Sequence, residues 1–196
     1  MMDHENPKVR KITGTARNLF WKHGIHRITV EEICREAGVS KMTFYKYFPN
    51  KTELVRYIIT RISDDVMQKY RDIMDSGLPF REKMSRMIQL KLESTRDISQ
   101  EFINDIYKNG SPELLSFIQE RVQEAFNMMT EYFSKAQKNK EIRQDINLGF
   151  IMFMFNEMVG MTTNEKLTRL YPNTQAMILE ILKFFIYGVM PVPTQP

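Results

Sequence analysis

Side chains of the kinds that bind nucleic acid are concentrated between residues 40 and 47. The segment carries two lysines, two tyrosines, a threonine and a methionine, namely Lys41, Met42, Thr43, Tyr45, Lys46 and Tyr47. Lysine and hydroxyl groups donate to phosphate oxygens and reach base edges in the major groove of DNA. These residue types therefore predict a surface that binds double-stranded DNA.

Helix start and stop signals place these side chains on one short helix. Ser40 can accept a hydrogen bond from the amides that follow it, and Pro49 prevents the helix from continuing. Phe44 and Phe48 lie four residues apart, so both rings point the same way, into the core. The opposite face then directs Lys41, Met42, Tyr45 and Lys46 outward.

A second short helix precedes this one. Thr29 and Glu32 have the spacing of a capping box, so we expect a helix to begin near Val30. Gly38 supplies the left-handed backbone that ends it. Two short helices joined by a tight turn form a helix-turn-helix, whose second helix enters the major groove. A helical hairpin without a ligand is the alternative interpretation of this pattern.

A third start signal follows directly. Asn50 and Glu53 have the same capping spacing, and Lys51 lies in the first turn of the helix they begin. Backbone amides at a helix amino end can bind a phosphate together with a nearby ammonium. Lys51, Thr29 and Ser40 therefore join the six residues of the short helix as predicted DNA contacts.

Residues 7–60 resemble the amino-terminal domain of the TetR family of transcriptional repressors. The resemblance lies in four ordered motifs: A-x-x-L-F from Ala16, H-G-I from His23, I-T-V-E-E-I-C-R-E-A-G-V-S from Ile28 and T-F-Y-K-Y-F-P-N-K-T-E-L from Thr43. It covers about the first third of the chain. Family members usually have alanine where this chain has Cys34.

The resemblance implies a dimer that binds a palindromic operator. It also implies that the operator is released when a small molecule enters the carboxy-terminal domain. Lys41, Met42 and Lys46 stand where family members differ from one another, so the operator sequence is not predicted.

The positive charge of the chain is confined to its first third. The protein has 196 residues and a formal net charge of +4. Residues 1–60 contain 11 Lys and Arg against 6 Asp and Glu, and residues 61–196 contain 17 against 18. A basic head is typical of DNA binding, because phosphate neutralisation supplies most non-specific affinity. A solvated basic surface with no ligand is the alternative.

Cysteine and histidine usage gives no sign of a disulfide, a metal or a cofactor. Cys34 is the single cysteine, and we expect it to be a small buried side chain without a redox role. His4, His23 and His26 lack the spacing of a metal site. The amino end has no signal-like apolar segment, which predicts a cytoplasmic protein.

The rest of the chain has a helical pattern with no competing strand pattern. After a first helix at 8–22, a helix from Lys51 runs for about seven turns to a stop at Ser76 and Gly77. Further helices are predicted at 80–98, 100–108, 111–138, 145–163 and 173–188. The predicted fold is all-α. A three-helix helix-turn-helix domain (1–50) is joined by the long helix to a helical ligand-binding and dimerisation domain (51–196).

The last two helices are apolar on most of their circumference. Residues 148–155 contain no polar side chain, and residues 178–189 contain two charges, Glu180 and Lys183. Neither run reaches the roughly 18 residues that span a bilayer, so no membrane insertion is expected. A chain of this size has too few helices to cover both, which predicts a homodimer with a two-fold four-helix interface. A fully intramolecular core is the alternative.

Methionine and aromatic residues of the middle helices are candidates for a ligand pocket. The predicted lining is Met84, Met87, Ile88, Phe102, Phe117, Met128, Met152, Phe155 and Glu157. Methionine suits an adaptable surface, so the expected inducer is a small apolar or amphipathic molecule. Membership of an ordinary core is the alternative for each apolar residue. Asn156 and Glu157 are polar within an apolar helix and need a partner, across the interface or in the pocket.

No arrangement of residues indicates catalysis. The chain has no Ser-His-Asp or Cys-His grouping and no glycine-rich phosphate loop. The sequence therefore predicts a DNA-binding regulator, a repressor that an inducer releases. A helical protein-interaction adaptor without specific DNA binding is the alternative.

Overall fold

The structure is a computed structural model in which residues 6–190 are described. These residues form ten helices and no strand, so the all-α prediction is confirmed. The helices are α1 (Pro7–His23), α2 (Val30–Ala37), α3 (Lys41–Tyr47), α4 (Lys51–Asp75), α5 (Phe80–Ser94), α6 (Gln100–Tyr107), α7 (Pro112–Lys138), α8 (Leu148–Met161), α9 (Glu165–Thr168) and α10 (Thr174–Val189). Within this range no helix is both long enough and apolar enough to cross a bilayer.

Several helices begin at the capping residues that the sequence predicts. The Asn50 side chain accepts from the Glu53 amide at 2.9 Å, and the Thr29 hydroxyl accepts from the Glu32 amide at 3.1 Å. Each cap satisfies an amide of the first turn that has no partner within its helix. Local sequence therefore determines where these helices start.

The predicted start of α8 at residue 145 is wrong. Asp145 is expected to begin the helix, but α8 begins at Leu148, and the Asn147 side chain accepts from the Phe150 amide at 3.3 Å. The Asp145 carboxylate instead pairs with the Arg143 guanidinium at 2.6 Å. The ion pair engages the carboxylate, and the asparagine two residues later serves as the cap.

Two other boundaries differ from the prediction. α5 ends at Ser94 rather than near residue 98, and the single turn α9 has no counterpart among the predicted helices. Four residues are too few to show a helical period, so the pattern cannot reveal α9.

Contacts divide the chain into two compact units, each built from two separate segments. Unit 1 contains residues up to 64 together with Asp97–Ile118, and unit 2 contains Asp65–Arg96 together with residues from 119 onward. The predicted boundary after residue 50 divides the chain once, into an earlier and a later part. In the structure the later helix α6 packs on α1 and belongs to unit 1.

The core of unit 1 joins the first four helices. Its fully buried members include Ile12, Phe20, Ile28, Ile33, Phe44, Phe48 and Leu54. Trp21 of α1 packs against Phe102 of α6 with ring centroids 4.1 Å apart. This contact explains the position of the tryptophan and attaches α6 to the helix-turn-helix.

The core of unit 2 is rich in methionine and aromatic side chains. Its most deeply buried members include Met84, Phe133, Ile142, Ile151 and Ile186. The Phe133 ring packs edge-on against Phe80 and Phe185, at centroid distances of 6.5 and 5.8 Å. α10 packs against both α5 and α8.

Candidate functional site

The turn between α2 and α3 has the backbone that the sequence predicts. Gly38 ends α2 in the left-handed region, with φ 64° and ψ 39°. The Ser40 hydroxyl accepts from the Thr43 amide at 3.1 Å and lies 3.0 Å from the Thr43 hydroxyl. Phe44 and Phe48 are fully buried, which sets the rotation of α3 about its own axis. α3 therefore presents its opposite side to solvent.

We call the exposed side chains of α3 the reading face: Lys41, Met42, Tyr45 and Lys46. Met42 is 82% exposed and Tyr45 is 51% exposed, although both side chains are large. A major-groove surface needs donors for phosphates and base edges, and apolar atoms for thymine methyl groups. The outward orientation of these residues is confirmed, and their contacts with DNA stay a prediction.

A carboxylate of α2 already engages one lysine of the reading face. Glu31 forms an ion pair with Lys41, and both side chains are exposed. Their hydrogen bond raises the pKa of Lys41 and lowers the pKa of Glu31. Lys41 must exchange this carboxylate for a phosphate if it binds DNA, so the pair opposes binding.

Thr29 and Tyr47 have hydrogen-bond partners within unit 1. The Thr29 hydroxyl accepts from the Glu32 amide at 3.1 Å, and the Tyr47 hydroxyl accepts from the Asn6 side chain at 3.0 Å. A hydroxyl that accepts one hydrogen bond keeps its own proton to donate. Both groups therefore remain chemically able to donate to a phosphate.

Lys51 is turned back toward the protein, contrary to its predicted role. Its ammonium donates to the carbonyl oxygens of Ile25 and Ile28, both at 2.9 Å, and of His26 at 3.4 Å. Burial lowers the pKa of Lys51, and the Asp105 carboxylate opposes that shift. The position of Lys51 in a first turn predicts a phosphate contact, but its donors are used by the residues that precede α2.

Asp105 of α6 is a residue of unit 1 that sequence reasoning misses. Its carboxylate accepts from the His26 amide at 2.9 Å and lies 2.8 Å from His26 Nδ1. Burial favours the neutral carboxyl group, but the hydrogen bonds from His26 outweigh burial and lower the pKa of Asp105. The partners are 79 residues apart in sequence, so no local pattern indicates the pair.

Cys34 lies on the inner side of α2. The side chain is buried, as the sequence predicts, and its thiol is free. Burial raises the pKa of the thiol, which keeps it protonated and unreactive. The cysteine therefore behaves as a small core residue.

The nine residues predicted to line a ligand pocket do not form one group. Phe102 and Phe117 belong to unit 1, where Phe102 packs on Trp21 and the Arg56 guanidinium lies 5.1 Å from the Phe117 centroid. Six others form or border the core of unit 2: Met84, Met87, Ile88, Met128, Met152 and Phe155. Glu157 is exposed on α8.

Unit 2 also contains an open groove between α8, α9 and α10. Its volume is about 500 Å³, and most of its lining is apolar, including Phe150, Met154, Met158, Leu167 and Phe184. Arg143 and Glu180 are the charged residues among its described lining. None of the nine predicted pocket residues lines this groove. Its walls come from three helices, so the pattern of any one helix does not reveal it.

We call the exposed rings of α8 and α10 the aromatic face: Phe150, Phe153, Phe184 and Tyr187. Phe184 is 80% exposed. Four further small or polar residues of α8 are exposed: Gly149, Asn156, Glu157 and Gly160. Two neighbouring helices of unit 2 thus leave large apolar side chains uncovered in the single chain.

The helix-turn-helix part of unit 1 matches a known protein family. Residues 12–58 match the family described as "Bacterial regulatory proteins, tetR family". The matched segment is a TetR-family helix-turn-helix. The matched interval runs from α1 into α4 and contains α2, the turn and the whole reading face.

TetR-family regulators from several bacteria are similar to this chain in sequence. The transcriptional regulator UidR of Escherichia coli (strain K12) is 23% identical over 149 residues, which cover 75% of each chain. The transcriptional repressor KstR2 of Rhodococcus jostii (strain RHA1) is 32% identical over 79 residues, which cover 40% of this chain and 39% of KstR2. These relatives are regulators rather than enzymes, and this chain is a DNA-binding transcriptional regulator.

Solved structures of regulators share the fold over nearly the whole chain. The fatty acid degradation regulator FadR from Bacillus halodurans has a TM-score of 0.72 at 19% identity, covering 95% of this chain and 98% of that one. A transcriptional regulator from Saccharomonospora viridis in complex with choline has a TM-score of 0.72 at 16% identity, covering 94% and 98%. At these identities the likeness establishes the fold alone.

Proposed function

We propose that this TetR-family regulator is a repressor that binds a palindromic operator as a homodimer. A small apolar or amphipathic molecule binds unit 2 and releases the operator. The observation that carries the proposal is the reading face, because Met42 and Tyr45 are exposed between two lysines on a helix whose rotation two buried phenylalanines determine. Such a surface offers hydrogen-bond donors and apolar atoms that match the phosphates, base edges and methyl groups of a major groove.

The aromatic face supports a homodimer. Phe153 and Phe184 are large apolar side chains in water, and contiguous exposed apolar surface marks an interaction site. A second copy of the chain carries the same face, so a two-fold axis pairs α8 and α10 with their counterparts. The two helix-turn-helix domains of the dimer would then bind two half-sites, which is why the proposed operator is palindromic.

The groove beside α9 is assigned to the same interface. Phe150 and Phe184 belong both to the aromatic face and to the groove lining. A partner that covers the aromatic face therefore also covers part of the groove. Asn156 and Glu157 are exposed on α8, which favours the interface over a pocket as the place where they find hydrogen-bond partners.

The inducer site is proposed in the methionine-rich part of unit 2. Met84, Met87 and Met152 lie together in its core, with Phe155 packed against them. Thioether side chains rearrange around an apolar guest at low cost. The S. viridis regulator of the same fold was solved with choline, and FadR from B. halodurans is a fatty acid degradation regulator. These likenesses and the methionine content of the core support an amphipathic molecule as the inducer class.

Selection of genomic fragments on the purified full-length protein tests the proposal. Binding should enrich fragments that share a palindrome, and footprinting should show two protected half-sites. Affinity should fall steeply between low and physiological salt, because phosphate contacts release counterions. Enrichment of no site, or an affinity that does not change with salt, would overturn the operator proposal and favour a protein-interaction adaptor.

Inducer binding is tested on the complex with the selected fragment. A panel of medium-chain fatty acids, together with choline, is added while DNA release and the unfolding temperature are measured. A ligand that binds the folded protein raises the unfolding temperature. Release of DNA together with this rise supports the inducer site in unit 2, whereas release without it does not.

A further inference from the structure

The turn between α1 and α2 contains backbone polar groups that no helix satisfies. Residues 24–29 leave α1 and lead to Val30, where α2 begins. Ile25 and Ile28 of this turn are buried, so the peptide groups beside them are removed from water. Buried amides and carbonyls need partners. Two side chains from outside the helix-turn-helix motif supply them.

Two charged side chains contact this turn: the Asp105 carboxylate contacts a backbone amide, and the Lys51 ammonium contacts backbone carbonyls. The Asp105 carboxylate of α6 accepts from the His26 amide, and it also engages His26 Nδ1. The Lys51 ammonium of α4 donates to the carbonyls of Ile25 and Ile28. Donors of the turn therefore contact the carboxylate while its acceptors contact the ammonium. Charged groups make stronger hydrogen bonds than neutral ones, so the contacts from Asp105 and Lys51 restrict the conformation of the turn.

Gly24 permits the close approach of α6. Its φ is +81°, a conformation that other residues rarely adopt, and a Cβ added there would lie 2.7 Å from Asp105 Oδ2 and 3.2 Å from Glu101 Cβ. Any side chain at this position would push α6 away from the turn. A second contact fixes the same region, because the Ser99 amide donates to the Trp21 carbonyl at 2.8 Å.

We propose that Asp105 is a positioning residue for DNA binding, whose carboxylate holds the turn before α2 so that α2 and α3 present the reading face in its binding geometry. α2 packs on α3, so a shift of the amino end of α2 moves the reading face with it. Misplacement of a recognition surface by a fraction of an ångström weakens every contact that it makes. The inference rests on the proposed operator binding.

The charge of Asp105 makes this role separable from simple electrostatics. Removal of a carboxylate makes the protein more basic, and on charge alone this would strengthen binding to DNA. If Asp105 positions the turn, its removal weakens binding instead. Glu101, an exposed carboxylate one turn earlier on α6, gives a control with the same change of charge.

Asp105→Asn is therefore compared with Glu101→Gln on the operator selected by the wild-type protein. We expect Asp105→Asn to weaken operator binding about ten-fold, because one charge-assisted hydrogen bond is replaced by a weaker neutral one. We expect Glu101→Gln to bind as tightly as the wild type or more tightly. Affinities are measured below the onset of unfolding of every variant, so that loss of folded protein does not contribute.

The pH profile supplies a readout that loss of stability would not move. His26 forms an ion pair with Asp105 only when its imidazole is protonated. The pKa of Asp105 is lowered, so its carboxylate stays charged above neutral pH and down to mildly acidic pH. Wild-type affinity should therefore fall with rising pH, because the ion pair is lost while the carboxylate stays charged, and it should fall less in His26→Gln and in Asp105→Asn. The other charged groups around the turn, Lys51, Glu101, His23 and Arg27, are unchanged in His26→Gln.

The outcomes separate the two proposals. A wild-type protein that selects no operator removes the proposed function before any variant is compared. A wild-type protein that binds its operator while Asp105→Asn matches Glu101→Gln in affinity overturns the positioning role. A pH profile that is the same in wild type, His26→Gln and Asp105→Asn overturns it as well.

Discussion

The two units of this regulator expose surfaces of opposite character. The reading face of unit 1 carries lysines and a tyrosine around one exposed methionine, whereas the aromatic face of unit 2 carries Phe153 and Phe184 in water. Polar and charged groups remain solvated until DNA replaces water at low cost. Exposed rings are stabilised only by burial, at about 25 cal/mol per Å² of apolar surface removed from water. The proposed second copy would cover the exposed rings of unit 2, whereas the exposed residues of unit 1 need no such cover.

The largest expected effect comes from placing a charge in the aromatic face. Phe184→Glu should convert the dimer to a monomer, because burying a carboxylate between apolar helices is strongly unfavourable. Operator affinity should fall by about 100-fold or more, since two linked heads bind far more tightly than one. Sedimentation and operator titration measure the two changes. Leu170→Glu is the matched control, because Leu170 is as exposed but lies outside the aromatic face and the groove. A dimeric Phe184→Glu protein would place the interface elsewhere.

The next effect distinguishes a core residue from a pocket residue. Phe102→Ala should lower the free energy of unfolding by about 3 kcal/mol, because it leaves a cavity beside Trp21. Phe117→Ala should lower it by only about 1 kcal/mol, since that ring is half-buried and contacts a guanidinium. Urea titration measures both values. A stability close to that of the wild type, together with a lost inducer response, would return Phe102 to the ligand site.

Removal of one lysine from the reading face should have a smaller effect. Lys46→Ala should weaken operator binding by about ten-fold and reduce the slope of log affinity against log salt by about 1, because one phosphate contact is lost. Lys138→Ala removes an exposed lysine from unit 2 and should change neither quantity. Equal effects of the two variants would show that net charge, rather than the reading face, determines affinity.

The smallest effect concerns the carboxylate that engages Lys41. Glu31→Gln should strengthen DNA binding by about two- to three-fold, since exposed ion pairs are weak and Lys41 no longer has to exchange its partner. Glu36→Gln is the control on the same helix, because Glu36 pairs with Arg35 and the change of charge is the same. Titration with operator DNA at one salt concentration compares the two. An identical gain in both variants would attribute the effect to net charge alone.

Much of unit 1 could be predicted because its signals are local. The caps at Thr29 and Ser40, the left-handed Gly38 and the buried pair Phe44 and Phe48 act within a few residues of one another. Side-chain rotation on a short helix follows directly from such spacing. The family resemblance lies in the same residues, and the matched interval 12–58 confirms it.

Contacts between distant segments were not predictable in the same way. Lys51 was expected to bind a phosphate because it lies in a first turn, but a turn 23 to 26 residues earlier takes its ammonium. Phe102 was predicted to line a ligand pocket because it is an apolar residue of a middle helix, but its ring packs against Trp21. Periodicity shows that a side chain is turned inward, and it does not identify the helix that it meets.

The amino-acid sequence by itself determined the all-α class, the limits of α3 and the outward orientation of its reading face, Lys41, Met42, Tyr45 and Lys46. Capping, glycine conformation and helical period depend on residues that are close together in the sequence, so a short segment is enough to predict them. The tertiary structure alone decided that α6 belongs with the helix-turn-helix and that Asp105 contacts His26 across 79 residues. Such pairs depend on which segments pack together, and that choice is made by the burial of whole helix faces rather than by any local pattern.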